Sequence, residues 1–115
     1  MVRVLGDQNS VLNQFIAELR NVNVQGDFMR FRKNMERCGE VFAYELSKEL
    51  SYQPEQVQTP LGVADMRLPN ETLVLATILR AGLPLHQGML NFFDTAQNAF
   101  ISAYRKYNKD GSFRI

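Results

Sequence analysis

The sequence contains a single cysteine and no tryptophan, and it lacks any long apolar run. With Cys38 alone no intramolecular disulfide can form, which fits a reducing compartment, and we interpret Cys38 as a small core residue. No segment approaches the roughly 18 apolar residues that a membrane span needs, and residues 1–9 lack a basic stretch followed by an apolar one. We therefore expect a cytoplasmic protein with no membrane partner.

An excess of charge of either sign is also absent. Thirteen Lys and Arg oppose twelve Asp and Glu, so the formal net charge is +1. Without a global field the chain is not expected to bind nucleic acid, and any basic function must be local. Its 115 residues, 45% of them hydrophobic, suffice for one domain with a core, and no repeat or linker indicates a boundary.

Apolar residues at helical spacing predict two helices in residues 1–51. Asn9 or Ser10 caps the first, which should end near Arg20, and Asp27 caps a longer second helix. The second helix is expected to bury one apolar stripe and to expose one charged face. The predicted stripe is Phe28, Phe31, Met35, Cys38, Phe42, Leu46 and Leu50, and the predicted face is Lys33, Arg37, Glu40 and Lys48.

Residues 52–69 mix polar and apolar side chains and contain Pro60 and Gly62. We interpret them as a hairpin or arm that is suited to subunit contact. Since proline cannot donate to a central ladder, Pro60 favours an edge position.

A strand, a helix and a second strand are predicted next. Residues 73–79 are almost all apolar, which is typical of a parallel strand covered on both faces, whereas a one-sided strand would alternate. Pro84 suits the first turn of the following helix. The second apolar run, residues 99–104, ends in Arg105. Because such crossovers are right-handed, Arg80 and Arg105 should lie at the same carboxyl edge of the sheet.

That edge is where open α/β sheets bind ligands. Gly82 would let backbone N–H groups approach a ligand, and the positive end of the next helix favours an anion. Two arginines and a helix end together suggest a polyphosphate, although arginines that simply end strands remain the alternative. A Walker A loop and a dinucleotide fingerprint are both absent, because Gly82 stands alone.

The run ILRAGL at residues 78–83 resembles the pyrophosphate loop of uracil phosphoribosyltransferases. The resemblance extends in order and spacing from about Ser10 to Lys106, and it corresponds to the amino-terminal half of such an enzyme. The other matching segments are Phe31 and Arg32, Tyr44 and Glu45, residues 59–62, and Tyr104 with Arg105.

The resemblance implies an α/β fold, the amino-terminal part of a type I phosphoribosyltransferase. It would comprise two N-terminal helices, a β-hairpin arm and a parallel strand–helix–strand unit. Residues 1–115 would then form a single incomplete domain, with a helical part at 1–51, the arm at 52–69, and the strand–helix–strand unit with its pyrophosphate loop at 70–107.

The activity implied is that of a glycosyltransferase of pyrimidine salvage, which converts uracil and phosphoribosyl pyrophosphate to UMP and pyrophosphate. Arg80, Ala81, Gly82 and Arg105 would bind phosphoribosyl pyrophosphate. Magnesium would accompany that substrate, with no protein ligand identified in this chain. Arg32 is a candidate contact for a GTP effector, with packing or ion pairing as the alternative, and a homo-oligomer is expected.

The chain also departs from the family. The loop that wraps the ribose 5-phosphate is not found, since Asp110, Gly111 and Ser112 do not form it, and the uracil-binding segment would lie beyond Ile115. We therefore expect a truncated form that is inactive alone, with uncovered apolar surface and unpaired edges that favour association. The alternative is a non-catalytic dimerisation or interaction fragment. No catalytic residue or metal ligand is assigned, and His86, a lone histidine, is interpreted as a surface residue.

Overall fold

The computed structural model describes residues 2–107, 111 and 113–114. Within them, a short 3-10 helix (Leu5–Asp7) precedes three α-helices: α1 (Leu12–Arg20), α2 (Phe28–Ser47) and α3 (Leu83–Phe92). The strands are β1 (Tyr52–Thr59), β2 (Gly62–Pro69), β3 (Val74–Leu79), β4 (Gln97–Ser102), β5 (Lys106–Tyr107) and β6 (Phe113–Arg114). Strands β1 and β2 pair antiparallel, β3 and β4 pair parallel with α3 between them, and β5 and β6 pair antiparallel. The predicted mixed α/β architecture is confirmed.

Helix α2 begins at its predicted cap Asp27, whereas the N-cap of α1 is Val11, one residue after the predicted Ser10. The side chain of Asp27 accepts a hydrogen bond from the Arg30 backbone N–H at 3.1 Å. Ser10 Oγ accepts one from the Leu12 N–H at 3.2 Å. These bonds satisfy donors that the first turn of a helix leaves without an internal acceptor. The predicted end of α1 at Arg20 is also correct, whereas the 3-10 helix was not predicted.

The buried face of α2 is rotated away from the predicted apolar stripe. Asn34, Cys38, Gly39 and Ala43 are the buried residues of this helix, whereas Phe28 is 72% exposed. Phe31 and Leu46 are exposed as well. Cys38 is a core residue as predicted, and burial raises the pKa of its thiol. The helix therefore buries its small side chains in preference to several of its large ones.

Glycines explain this rotation, because α2 and α3 touch backbone to backbone. A Cβ added to Gly88 would overlap the Glu36 carbonyl oxygen and lie 2.9 Å from the Glu40 nitrogen. A Cβ added to Gly39 would overlap the Leu85 carbonyl oxygen and lie 3.1 Å from the Gly88 Cα. The helices can approach this closely because both positions are glycine. The contact therefore selects the face of α2 that carries small residues.

A polar cluster joins α1 to α2. Asn34, fully buried, donates to Glu18 Oε2 at 2.6 Å and accepts from Arg37 at 2.9 Å. The bond from Asn34 is the main cause that holds the pKa of Glu18 below its ordinary value. The Arg37 guanidinium also lies 5.6 Å from the centre of the Phe15 ring. The predicted solvated face is therefore wrong at Arg37, which is half-buried in this cluster, and right at the exposed Lys33 and Lys48.

The pair β3 and β4 is covered on one face, not on both as predicted. Leu75 is buried on the side of α3, whereas Val74 and Ile78 on the opposite side are 59% and 58% exposed. Ile101 of β4, paired with Ile78, is 56% exposed. The described helices pack on one side of this sheet. Apolar side chains on its other side therefore remain exposed.

The hairpin β1–β2 projects from the rest of the chain. The radius of gyration is 18.7 Å, against about 13 Å for a compact domain of this length. Pro60 lies in the two-residue turn between Thr59 and Gly62 and not along an edge strand, so its predicted position is wrong. Gly62 has φ +137°, a conformation that favours glycine.

The contact between α2 and α3 leads to the first prediction. Gly88→Ala should lower the free energy of unfolding by about 1–3 kcal/mol, because the helices must separate to admit the methyl group. Chemical denaturation monitored by circular dichroism measures this change.

Gly26→Ala is the matched control, because a Cβ at Gly26 meets nothing within 4 Å. Equal stabilities of the Gly88 and Gly26 variants would show that the helices do not approach this closely.

Candidate functional site

The two arginines predicted to bind a ligand follow strands that end at the same level. In the parallel register Leu79 pairs with Ser102, the last residues of β3 and β4. Arg80 comes directly after β3, whereas Arg105 lies three residues beyond β4, because that strand ends earlier than the predicted 99–104 run. Both residues are exposed. The two strands therefore end at one edge, and the common location of the two arginines there stays a prediction.

Residues 80–82 form a tight connection between β3 and α3. The peptide bond that joins Leu79 to Arg80 is cis. The Gly82 N–H donates to the Ile78 carbonyl at 3.1 Å, and the Leu83 N–H donates to the Arg80 carbonyl at 3.1 Å. The N–H of Gly82 is thus engaged within the chain, and the approach of backbone N–H groups to a ligand at this glycine stays a prediction. Ala81 is exposed in this connection.

Close packing on β3 is the reason for glycine at position 82. Its φ of −75° suits any residue, so the backbone conformation makes no demand for glycine. A Cβ there, however, would overlap Thr77 Oγ1 and lie 2.8 Å from the Ile78 carbonyl oxygen. The glycine lets the start of α3 lie directly against the end of β3.

Helix α3 directs its positive end to the same edge. Gly82 is its N-cap and has no side chain that could accept from the first turn, and Pro84 lies in that turn as predicted. The partial positive charge of a helix N-terminus favours an anion. Arg80 and the start of α3 together form a positively charged edge that is suited to bind phosphate oxygens.

His86 is a buried residue, so its interpretation as a surface residue is wrong. Its side chain is on the inward side of α3, with the residue 8% exposed and Nε2 2.6 Å from Asn98 Oδ1. Since the amide oxygen is an acceptor, Nε2 donates this bond. The imidazole also lies 5.2 Å from the ring centre of Phe100. His86 is four residues before Leu90, so the helical spacing could have shown that the two side chains share one face of α3.

A groove of about 600 Å³ lies between α2, the start of α3 and β4. Arg32, which was considered as an effector contact, lines it together with Leu83 and His86. Arg80 and Arg105 are not among its lining residues. Arg32 therefore lines a groove that neither Arg80 nor Arg105 lines.

Among the described residues, no group of three His, Cys, Asp or Glu could hold a metal ion. No helix in the described part of the chain is long and apolar enough to cross a membrane. Of the residues compared with a ribose-phosphate loop, Asp110 and Ser112 lie outside the described residues.

The strand–helix–strand unit with its connecting arginine loop is the arrangement expected of a phosphoribosyltransferase. The sequence model of the family described as "Uracil phosphoribosyltransferase" matches residues 6–112. A uracil phosphoribosyltransferase of Porphyromonas gingivalis is 55% identical over 96% of this chain and 51% of its own length. One of Methanococcus maripaludis is 33% identical over 90% of this chain and 45% of its own. This chain belongs to the uracil phosphoribosyltransferase family.

The chain spans about half the length of the curated relatives that it matches. A solved structure of a protein from Aquifex aeolicus is also similar, with a TM-score of 0.73 and 23% identity. The similarity covers 98% of this chain and 52% of that one, and it supports the fold alone.

The packing of Gly82 leads to the second prediction. Gly82→Ala should lower the free energy of unfolding by about 1–3 kcal/mol, because the methyl group meets two oxygen atoms of β3. The double variant Gly82→Ala/Thr77→Ala should recover part of this loss, because it removes Thr77 Oγ1 and leaves the Ile78 carbonyl. Thermal unfolding compares the variants.

Gly6→Ala serves as the control, since its nearest atom is Asn13 Oδ1 at 4.0 Å. A Gly82→Ala variant as stable as Gly6→Ala would contradict the described loop.

Proposed function

We propose that this chain contributes the phosphoribosyl pyrophosphate site of a uracil phosphoribosyltransferase. The reaction is the transfer of the phosphoribosyl group to uracil, which gives UMP and pyrophosphate in pyrimidine salvage. The observation in favour of the proposal is that β3 and β4 end at the same level, with Arg80 directly after β3 where α3 begins and Arg105 three residues beyond β4. The name shared by the relatives supports the choice of substrates.

The proposed role of the edge is to bind the charge that develops in the reaction. As the bond from the ribosyl carbon to its leaving group breaks, negative charge grows on the pyrophosphate. The Arg80 guanidinium offers a planar fork of donors that matches phosphate oxygens, and a fixed donor stabilises such charge without reorganising. Arg105 and the positive end of α3 would add to the same field.

Magnesium remains a prediction. The proposed role is that Mg²⁺ accompanies the pyrophosphate of the substrate. We assign no step of the reaction to it.

The proposed activity belongs to a polypeptide that includes both halves of the relatives' length. Because this chain spans about half of them, we propose that by itself it binds phosphoribosyl pyrophosphate without turnover. Such an enzyme would act in the cytoplasm. A uracil-dependent release of pyrophosphate by the isolated chain would contradict the proposed inactivity.

A second candidate is a role in association, which the hairpin favours. Leu61 at its tip is fully exposed, and Val63 and Met66 are exposed along β2. A projecting arm with apolar side chains suits contact with a second copy, so the homo-oligomer stays a prediction. The GTP contact at Arg32 also stays a prediction, and the groove that this residue lines is the observation in its favour.

Ligand-dependent stability tests the proposed site. Phosphoribosyl pyrophosphate with Mg²⁺ at 100 times its dissociation constant should stabilise the wild-type chain by about 2.7 kcal/mol. Arg80→Ala should abolish the rise in melting temperature. Arg80→Lys should lose most of it, because an ammonium cannot replace the planar fork.

Arg67→Ala is the matched control, an exposed arginine on β2, which belongs to a different sheet from β3. It should keep the full rise. A folded wild-type chain without any rise, or an equal rise in Arg80→Ala, would refute the assignment of Arg80.

A further inference from the structure

One face of the parallel strand pair has no helix against it in the described residues. This uncovered face consists of Val74, Ala76 and Ile78 of β3 with Gln97, Ala99 and Ile101 of β4. The register pairs Ala76 with Ala99 and Ile78 with Ile101, so the side chains form one continuous surface. The opposite face carries Leu75, which is buried.

The composition of the uncovered face is that of an interior surface. Five of its six residues are apolar, with Gln97 at one end beside Val74, and Val74, Ile78 and Ile101 are more than half exposed. Parallel strands normally lie between two layers of helices, and a contiguous apolar patch on a surface marks an interaction site. The face therefore requires a partner.

The lengths of two similar proteins indicate the size of that partner. This chain superposes over 98% of its length on 52% of the Aquifex aeolicus protein, and it matches 51% of the Porphyromonas gingivalis relative. In both proteins about half of the length remains outside the match. That half is large enough to supply a layer of helices for the second face.

We propose that the uncovered face binds the other half of a uracil phosphoribosyltransferase domain, and that this binding needs no peptide bond between the halves. The inference depends on the proposed function only for the choice of partner. The register of β3 and β4 places the side chains of this surface side by side, and neither Arg80 nor Arg105 contributes to it.

A second copy of this chain is the less suitable occupant. The contacts of α1 and α2 are with each other and with α3, on the covered side of the sheet. Two copies joined by their uncovered faces would pack sheet against sheet, whereas parallel sheets are covered by helices. The partner must therefore bring helices of its own.

Separate production of the two halves tests the proposal. The partner is the half of the Porphyromonas gingivalis relative that this chain does not match, which we expect to be its carboxyl-terminal half. Mixed with the wild-type chain, it should form a 1:1 complex in size-exclusion chromatography with light scattering. Ile78→Asp and Ile101→Asp should each weaken the complex by about 100-fold or more in titration calorimetry, because they bury an unpaired charge.

Val22→Asp is the matched control, since Val22 is 82% exposed between α1 and α2 and lies outside the face. It should bind as the wild type does. Because the buried Cys38 thiol reacts only when the core opens, slow alkylation of each variant verifies that it is folded.

Co-expression of the halves covers the case in which the second half aggregates alone. It should then be recovered with the wild-type chain and with Val22→Asp, and lost with Ile78→Asp. Equal binding by the face variants and the control, or no complex by either route, would overturn the proposal. A self-association that Ile78→Asp abolishes and the second half does not displace would also overturn it.

The outcome is separable from that of the proposed function. A complex that depends on Ile78, with no stabilisation by phosphoribosyl pyrophosphate, would uphold the binding face and refute the substrate site.

Discussion

The close approach of α2 and α3 is the constraint on which the rest of the structure depends. Gly39 and Gly88 let the two backbones touch, and a methyl group at either position would overlap a carbonyl oxygen of the facing helix. Because protein interiors are closely packed, a larger side chain at either position would push the two helices apart. The contact fixes the position of α3, and α3 is joined directly to β3 before it and β4 after it.

The candidate site inherits its position from this packing. Helix α3 is preceded by its N-cap Gly82, which rests on Thr77 and Ile78 of β3, and its second turn rests on α2 through Gly88. The loop with Arg80 is thus held at one end by the sheet and at the other by a helix that cannot slide. A cationic edge of this kind can hold its donors in place before a charged ligand arrives, which is the condition for stabilising developing charge. His86 adds a further tie from α3 to β4 through Asn98.

Much of this could be predicted from the sequence, because period and caps are local. Asp27, Pro84 and the apolar run of β3 specify helix starts and a parallel strand, and the ILRAGL run specifies the loop. The faces could not be predicted so well. Hydropathy ranks Phe28 above Gly39, whereas the contact with α3 is decided by shape, and it selects the face with the smaller residue. Asn34, His86 and Arg37 were misjudged or overlooked because their polar atoms find partners on other elements, and no spacing along the chain shows such partners. Uncovered apolar surface was expected from the resemblance to half of a longer enzyme, but its location on one face of β3 was not, because an apolar run reports what a strand is suited to pack against and not whether that layer is present.

The central claim is that these packing contacts form the loop at residues 80–83 within this chain, before ligand or partner binds. Hydrogen exchange followed residue by residue by NMR on the isolated chain tests it most directly. The account predicts that the amides of Gly82, Leu83 and His86, which donate to carbonyls at 2.9–3.1 Å, exchange as slowly as those in the middle of α2. Exchange of these three amides at the rate of an unstructured peptide, while α2 stays protected, would contradict it.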